Sequence, residues 1–458
     1  FASLAGCYRA REDVAMSTFD PAIFSLNSRL DVDHLTIGGV SAIDLAAEFG
    51  TPLYVVDEAD FLLRATAWKS ALEGAFGAQA GTVYYAAKSF IAKEIARWVD
   101  RAGIGLDVCT GGELAVAESV GFSPDRIEVH GNNKSEDEIR HAISIGVRSI
   151  VMDSFIEIER VARIARELGK VQRVLIRVTP GVEAHTHEFI ATAHEDVKFG
   201  FSLSSGAAWD AMYAIESEPS LQFVGLHSHI GSQIFRSEGF AAAAKKLIGL
   251  LSRFRDSYGR ELPELDLGGG YGIAYLPGET TLDPIQVMNE LAAVVMSECE
   301  SVGIALPIIS IEPGRAIVGP STATLYTVGT TKDVELDGGL TRRYVAVDGG
   351  MSDNIRPALY GAEYWAIIAN RLPLGPLCNT RIVGKHCETG DIVIREIEIS
   401  ADTQVGDLLA IPATGAYGRS MASNYNHVPR PAVVAVIDGK ARLIVRRESI
   451  ADLLALDL

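Results

Sequence analysis

Short apolar runs alternate with amphipathic stretches over the first two thirds of the chain. Eight runs rich in β-branched and aromatic residues are each followed by apolar spacing typical of a helix. The runs carry few polar residues except at their ends, as expected for strands buried on both faces. They are TVYYA (82–86), IGLDV (104–108), IEVHG (127–131), SIVMD (149–153), RVLIRV (173–178), FVGLHSHIG (223–231), LDLGGG (265–270) and IISIEPG (308–314). This alternation predicts a (β/α)8 barrel.

The rhythm changes after the eighth run. β-rich segments such as RRYVAVDGG, DIVIREIEI and AVVAVIDGKARLIVRR follow one another with turns between them, and DGK at 438–440 predicts a hairpin. We therefore expect an α/β barrel over 51–315 and an all-β, sandwich-like or barrel-like domain over 316–458. Residues 1–50 are expected to pack on the β domain. The long connection 183–198 is a candidate lid.

Composition narrows the class of protein. The chain has 458 residues, enough for two domains, and a formal net charge of −18 from 41 basic and 59 acidic residues. This balance argues against nucleic acid or an anionic membrane as partner. No apolar run reaches the roughly 18 residues of a membrane span. Five cysteines without regular spacing favour a reducing compartment, so we expect a cytoplasmic protein.

The amino-terminal sequence FASLAGC superficially resembles a lipoprotein cleavage box. It lacks a basic segment, and the residues before Cys7 are too few for an apolar region. We expect residues 1–15 to be an extension, with Met16 a natural start.

Four chemically useful groups follow predicted barrel strands. Lys88 comes just after the first strand, His229 lies at the end of the sixth, a glycine triplet at 268–270 ends the seventh, and Glu312 ends the eighth. Active sites of such barrels lie at the carboxyl rim of the strands. An amine, an aromatic base, a phosphate cradle and a carboxylate on one rim are the parts needed to hold pyridoxal phosphate (PLP).

Lys88 and Glu312 each have an ordinary alternative. Lys88 is preceded by two alanines, so partial desolvation is expected to lower its pKa and free the amine for a Schiff base; otherwise it is a solvated lysine at a helix start. A carboxylate at 312 facing the pyridine nitrogen would keep that nitrogen protonated, and a pyridinium ring is a strong electron sink. Otherwise Glu312 is a solvated loop residue.

Histidines and a cysteine leave further alternatives open. His227 and His229 alternate on a strand, so both imidazoles should face one way, either to stack on a cofactor or to bind a metal. HTHE at 185–188 has no clear partner spacing, and we expect no metal. In HCETGD (386–391), Cys387 is either a proton donor or a small buried residue.

Nine motifs resemble the diaminopimelate decarboxylase family, a group of fold-type III PLP enzymes, from about residue 35 to 454. The resemblance implies that Lys88 forms the Schiff base, His229 stacks on the ring, Glu312 faces the pyridine nitrogen, and Cys387 acts near the reacting carbon. The further cofactor contacts that it implies are Asp107, Ser232, Gly268, Gly269, Gly270, Gly314, Arg315 and Tyr417. The motifs are YYAAKSF, LDVCTGGEL, VHGNNKS, HSHIGSQI, LDLGGGYGI, EPGRAIVGPS, VDGGMSDNIRPALYG, VGKHCETGD and GAYGRSMASNYN.

The resemblance also implies a substrate and an assembly. Arg315, Arg356 and Tyr360 would bind the distal carboxylate of meso-diaminopimelate, and Glu388 would meet its distal ammonium. Two arginines and a glutamate can together recognise an amino-acid group. The implied reaction is decarboxylation to L-lysine, the last step of lysine biosynthesis. Cys387 and Glu388 would reach the cofactor of the other subunit, which implies a homodimer. Tyr417 would lie near both cofactor and substrate.

Three alternatives remain from the residues. An arginine or ornithine decarboxylase is disfavoured by the two arginines, since those substrates carry only a cationic distal group. A catalytically inactive relative should have lost Lys88 or Cys387. A metal-dependent barrel hydrolase would use His227 and His229.

Overall fold

Eight parallel strands close into a barrel in a computed structural model that describes residues 19–182, 198–338 and 341–458. Each strand pairs in parallel with its neighbour, and the pairing of the fourth and fifth strands completes the ring. In chain order they are Ala80–Ala86, Gly105–Val108, Ile127–Val129, Ser149–Met152, Gln172–Thr179, Leu221–His227, Glu264–Asp266 and Ile308–Ile311. The barrel and all eight of its predicted strands are confirmed.

A helix follows every barrel strand, and its ends are set by local chemistry. Ser135 and Glu138 form a reciprocal capping box at one helix start, and Gly146 ends that helix with φ of 81°. Asp283 caps another helix whose first residue is Pro284. The helices are Lys93–Arg101, Gly111–Glu118, Glu136–Ile145, Phe155–Glu167, Ala207–Glu216, Ser237–Tyr258, Pro284–Val302 and Arg315–Val318.

The chain divides into two units. The barrel unit comprises Leu62–Ile273 and Leu282–Ile317, and the sheet unit comprises residues 19–61, Ala274–Thr281 and Val318–Leu458. The strand Leu53–Asp57 lies within the segment 51–315 that we expected to form the barrel, but it pairs with Thr322–Glu335 and Ala432–Ile437. It joins the sheet unit because its five residues are all buried there between two neighbouring strands.

The sheet unit is mostly β-structure, as predicted. Its core brings together the amino-terminal residues Ile23 and Leu35 with Leu325 and Val434. The predicted hairpin at 438–440 joins Ala432–Ile437 to Lys440–Val445, and Asp438 and Gly439 both take positive φ. Its other strands are Ser28–Asp31, His34–Ile37, Val40–Ser41, Thr341–Val347, Ile367–Ile368, Leu377–Val383, Ile392–Ser400 and Leu408–Ile411. Its remaining helices are Ala42–Phe49, Arg356–Tyr360 and Ile450–Leu454, and Glu58–Phe76 leads into the barrel unit.

No helix within the described ranges is both long and apolar enough to cross a membrane. The candidate lid at 183–198 and the HTHE motif lie outside the described residues, apart from Lys198, as do residues 1–15 and Met16.

Candidate active site at the carboxyl rim of the barrel

Lys88 lies in a short helical turn, Ala87–Ser89, directly after the first barrel strand. Its Nζ lies 2.9 Å from Oδ2 of Asp107, which is on the neighbouring strand. The aspartate side chain is fully buried, whereas 34% of the lysine side chain is exposed. The structure therefore brings two predicted site residues together and holds the amine at the barrel rim.

His229 lies two residues beyond the end of the sixth strand, so its backbone no longer alternates with His227 as the sequence suggested. Its Nδ1 accepts a hydrogen bond from the backbone N–H of Gly269 at 3.2 Å. Burial, assisted by the charges of Lys88 and Arg177, lowers the pKa of His229 well below its ordinary value. The ring is therefore a neutral imidazole fixed by the glycine loop.

The glycine loop after the seventh strand needs its glycines for close backbone packing. Gly268 and Gly270 have φ of 68° and 111°, which disfavours other residues. A Cβ on Gly269 would lie 2.2 Å from the carbonyl oxygen of Glu312. Asp266 accepts a hydrogen bond from the N–H of Gly268 at 2.7 Å. These contacts hold a turn of backbone N–H groups at the rim, where a phosphate can approach closely.

Ser232 and Arg315 meet beside this loop. Nε and an Nη of the arginine lie 3.1 and 3.0 Å from Oγ of the serine. Gly314, just before Arg315, packs so closely that an added Cβ would lie 2.7 Å from Cβ of Ala86. A hydroxyl, a guanidinium and the glycine loop together form a donor set suited to an anionic group.

Glu312 is buried in the barrel rather than solvated in a loop. Its Oε1 lies 3.0 Å from Nε2 of His227 and 3.2 Å from Nε2 of His130, and its Oε2 lies 3.9 Å from Nδ1 of His229. Burial by itself raises the pKa of this carboxyl, but His130 and His227 hold it well below the ordinary value. Burial and the charge of Glu312 raise the pKa of Asp266 well above its ordinary value. Glu312 is therefore the anion of this pair.

The same contacts bear on the expected absence of a metal. Within the described residues, His130, His227 and Glu312 could together present ligand atoms to an ion, as could a set of three carboxylates. The grouping pairs His227 with His130 rather than with His229, which differs from the pair considered in the sequence. The nitrogen–oxygen separations of 3.0 and 3.2 Å are hydrogen-bonding distances. The absence of a metal stays a prediction.

The site chemistry fits pyridoxal phosphate. Oε1 of Glu312 is buried and faces imidazole nitrogens, and Oδ2 of Asp266 is buried without a hydrogen-bond partner among the described residues. A buried anionic carboxylate beside a neutral imidazole ring and a lysine amine suits a protonated pyridine ring and its aldehyde. The glycine loop, Ser232 and Arg315 suit its phosphate.

The sheet unit holds the remaining predicted residues. The guanidinium of Arg356 is buried, donates to the hydroxyl of Tyr364 and lies 4.8 Å from the ring centre of Tyr275. In the described parts of the chain, no acidic side chain forms an ion pair with it. Tyr360 and Tyr417 are partly buried, and Tyr417 takes a positive φ of 60°.

Cys387 and Glu388 are exposed on the turn that joins two strands of the sheet unit. Asp391 holds this turn, because its carboxylate accepts the N–H of Met351 at 2.6 Å and that of His386 at 2.7 Å. The cysteine is therefore not the small buried residue of the alternative interpretation.

Sequence analysis missed several charged residues of the site. Burial opposes the charge of His130, yet Asp107, Glu312 and Glu128 raise its pKa. Arg177 stacks on Phe199, with its guanidinium carbon 4.4 Å from the ring centre. The available signal was a polar residue within a strand that is otherwise apolar, for Arg177, or directly after one, for His130.

Comparison with known proteins gives a consistent result. Residues 58–319 match the model of the pyridoxal-dependent decarboxylase family, pyridoxal binding domain. Two proteins named diaminopimelate decarboxylase, from Corynebacterium efficiens and Mycobacterium tuberculosis, are each 51% identical to this chain. The first match covers 93% of this chain and 91% of the relative, and the second covers 96% and 98%.

Solved structures agree. The diaminopimelate decarboxylase of M. jannaschii in complex with L-lysine superposes with a TM-score of 0.86 at 31% identity, covering 95% of this chain and 98% of that one. The enzyme of Helicobacter pylori with L-lysine gives a TM-score of 0.81 at 29% identity, with 91% and 98% covered.

Proposed function

This chain belongs to the pyridoxal-dependent decarboxylases and, within them, to the diaminopimelate decarboxylases, and we propose how its residues serve that reaction. The reaction is the decarboxylation of meso-2,6-diaminopimelate to L-lysine and carbon dioxide, the last step of lysine biosynthesis. The family assignment disfavours the arginine decarboxylase, ornithine decarboxylase and metal hydrolase alternatives.

We propose that Lys88 carries the cofactor, and the observation that supports this most directly is its pairing with buried Asp107. Pyridoxal phosphate held there would supply an electron sink for the α-carbon of the substrate. Asp107 directs the lysine amine, and the neutral ring of His229 offers a flat, uncharged face. Glu312 supplies the buried negative charge for the pyridine nitrogen.

Phosphate recognition is proposed for the barrel rim. The backbone N–H of Gly270 and the hydroxyl of Ser232 would donate to phosphate oxygens, with Gly314 allowing close approach. The N–H groups of Gly268 and Gly269 donate within the site and hold the loop in place. Tyr417 is proposed as a further phosphate contact on the basis of the family resemblance alone.

The distal end of the substrate is the second part of the proposal. Arg356 is buried with tyrosine partners and without an acidic partner in the described residues. A buried cation is costly unless an anion accompanies it, so a substrate carboxylate is the expected counter-charge. We propose that Arg356, Arg315 and Tyr360 bind this carboxylate and that Glu388 binds the distal ammonium.

Cys387 is proposed to act near the reacting carbon, in the site of a partner subunit. Co-expression of Lys88→Ala and Cys387→Ala chains tests this proposal. If each site uses residues of two chains, mixed dimers contain one intact site and recover up to about a quarter of wild-type activity, because half of the dimers are mixed and each has one site of two. Activity no higher than that of the separate variants would mean that both residues serve the same chain's site.

The direct test of function uses the purified protein with added PLP. Visible absorbance, followed by release of carbon dioxide and L-lysine from meso-diaminopimelate, is the expected result. Absorbance with turnover of ornithine or arginine, and not of meso-diaminopimelate, would support the cofactor site but contradict the proposed substrate. Absence of absorbance with added PLP would overturn the cofactor site itself.

A further inference from the structure

His130 occupies the centre of a buried charge cluster in the barrel. Its Nε2 lies 3.1 Å from Oε1 of Glu128, 3.2 Å from Oε1 of Glu312 and 3.8 Å from Oδ1 of Asp107. The exposed fraction is 4% for the histidine side chain and 2% or less for each carboxylate. One imidazole nitrogen therefore faces three carboxylates that are screened from water.

His227 contacts the same carboxylate as His130, but its pKa shifts in the opposite direction. Its Nε2 lies 3.0 Å from the same oxygen, Oε1, that faces His130. Burial outweighs the charge of Glu312 and lowers the pKa of His227, whereas the three carboxylates outweigh burial at His130 and raise its pKa. The two rings are thus close to equidistant from one carboxylate oxygen, but their pKa values shift in opposite directions.

Glu128 is itself anchored, so His130 cannot turn away easily. Oγ of Ser149 donates to Oε2 of Glu128 at 2.5 Å, and the other oxygen of Glu128 bonds His130. This line of contacts runs from the fourth barrel strand through the third to Glu312, which follows the eighth. It anchors Glu128 beside the same Nε2 of His130 that faces Glu312.

We propose that His130 is a positioning residue whose positive charge joins Asp107, the partner of Lys88, to Glu312, the partner of the pyridine nitrogen. This inference rests on the proposed function. The charge of His130 favours the anionic form of Glu312 and partly neutralises Asp107. It would therefore act on the cofactor through two carboxylates, the one that pairs with Lys88 and the one assigned to the pyridine nitrogen.

The test replaces each imidazole by a neutral amide, in His130→Gln and His227→Gln. Each PLP-loaded variant is measured for visible absorbance against pH, for PLP affinity, and for kcat and KM with meso-diaminopimelate. His141→Gln is the control, because that histidine is exposed on a helix and pairs with Glu118. Glutamine keeps an N–H donor at each position, so the two site variants differ mainly in whether a charge is lost.

Loss of a nearby positive charge raises the proton affinity of neighbouring groups. We expect the pH midpoint of the visible absorbance change to move upward in His130→Gln and to stay in place in His227→Gln. We also expect kcat to fall by about tenfold or more in His130→Gln, with KM changed by less than about threefold. A merely structural role would lower thermal stability and leave the midpoint unchanged.

An unchanged midpoint in His130→Gln, or equal shifts in both variants, would overturn the proposal. If His130→Gln does not fold, Glu128→Gln provides the second test. Removal of one of the three carboxylates should let His130 lose its proton at lower pH, so the alkaline fall of kcat should begin earlier. An unchanged kcat profile in that variant also contradicts the proposal. Failure of the proposed function is distinct, because wild-type protein would then release no carbon dioxide from meso-diaminopimelate.

Discussion

The amine of Lys88 lies 2.9 Å from a carboxylate oxygen of Asp107, yet only the lysine reaches solvent. The acid belongs to the barrel interior, and the amine stands at the rim. An electrostatic contact of this kind directs the amine and leaves its outer side accessible. A cofactor aldehyde can therefore reach the nitrogen without displacing the buried acid.

Lys88→Ala should abolish both the visible absorbance of the PLP-treated protein and turnover of meso-diaminopimelate. The reason is that Lys88 supplies the amine proposed for the covalent attachment. Absorbance spectra and carbon dioxide release measure the two effects, with Lys93→Ala as the control because Lys93 is exposed on the next helix. Normal absorbance and turnover in Lys88→Ala would remove Lys88 from the site.

Glu312→Gln should retain the covalently bound cofactor and lower kcat by roughly 10²-fold. A neutral amide in a buried position no longer stabilises a protonated pyridine nitrogen, so the ring withdraws electrons less strongly. Steady-state kinetics and absorbance distinguish loss of chemistry from loss of cofactor. Asp137→Asn, on an exposed helix start, is the matched acid-to-amide control. Wild-type kcat in Glu312→Gln would contradict the assigned role.

Arg356→Ala should raise KM for meso-diaminopimelate by about 10- to 100-fold while PLP affinity changes far less. The guanidinium is buried with tyrosines, so the substrate carboxylate is its expected anionic partner. The KM of Arg356→Lys should lie between those of the wild type and Arg356→Ala, since an ammonium retains the charge but not the paired donors. Arg395→Ala is the exposed control in the same unit. Equal losses of substrate and cofactor affinity would mean that Arg356 supports the fold.

Cys387→Ala should lower kcat by about 10²-fold with PLP still bound, because a proton donor near the reacting carbon is removed. Cys378→Ala is the matched control, since that partly buried thiol lies on a strand of the same unit. Kinetics and absorbance at saturating PLP measure the effect. An unchanged kcat in Cys387→Ala would exclude the thiol from the chemistry.

The barrel could be predicted from sequence because buried parallel strands are apolar along their length. The strand Leu53–Asp57 could not be assigned in the same way. It is equally apolar, and only its pairing with Thr322–Glu335, more than 200 residues later in the chain, places it in the sheet unit. Apolar character predicts a buried strand, but long-range pairing determines which sheet contains it.

In the candidate site, too, some residues could be predicted from the sequence and others could not. Lys88 and Glu312 were predictable because they follow strands at the rim, where barrel chemistry is concentrated. His130 was not selected, because one histidine after a strand has many ordinary explanations. Its importance depends on Asp107 and Glu312, which come from other parts of the chain and meet it beside Glu128. Their proximity in space cannot be inferred from spacing along the sequence.

Asp353→Asn should stabilise the protein more at pH 8 than at pH 5. Burial raises the pKa of Asp353 to about 7, although hydrogen bonds from the Gly350 N–H and the Ser352 hydroxyl oppose the shift. The folded state therefore holds a proton that the unfolded chain, with a pKa of about 3.9, has already lost. The stability from this group is full below the unfolded pKa and is lost as pH rises through about 7. The cost at pH 8 is of the order of 4 kcal/mol.

Asparagine keeps an acceptor for Gly350 and cannot ionise, so the variant should escape that pH-dependent loss. Thermal unfolding of both proteins without added PLP, at pH 5 and pH 8, measures the difference. Asp337→Asn, which replaces an exposed acid on a turn, is the control. Its unfolding temperature relative to the wild type should be the same at pH 5 and at pH 8. If Asp353→Asn lowers the unfolding temperature equally at both pH values, the carboxylate is needed for its hydrogen bonds, and its ionisation does not limit stability at neutral pH.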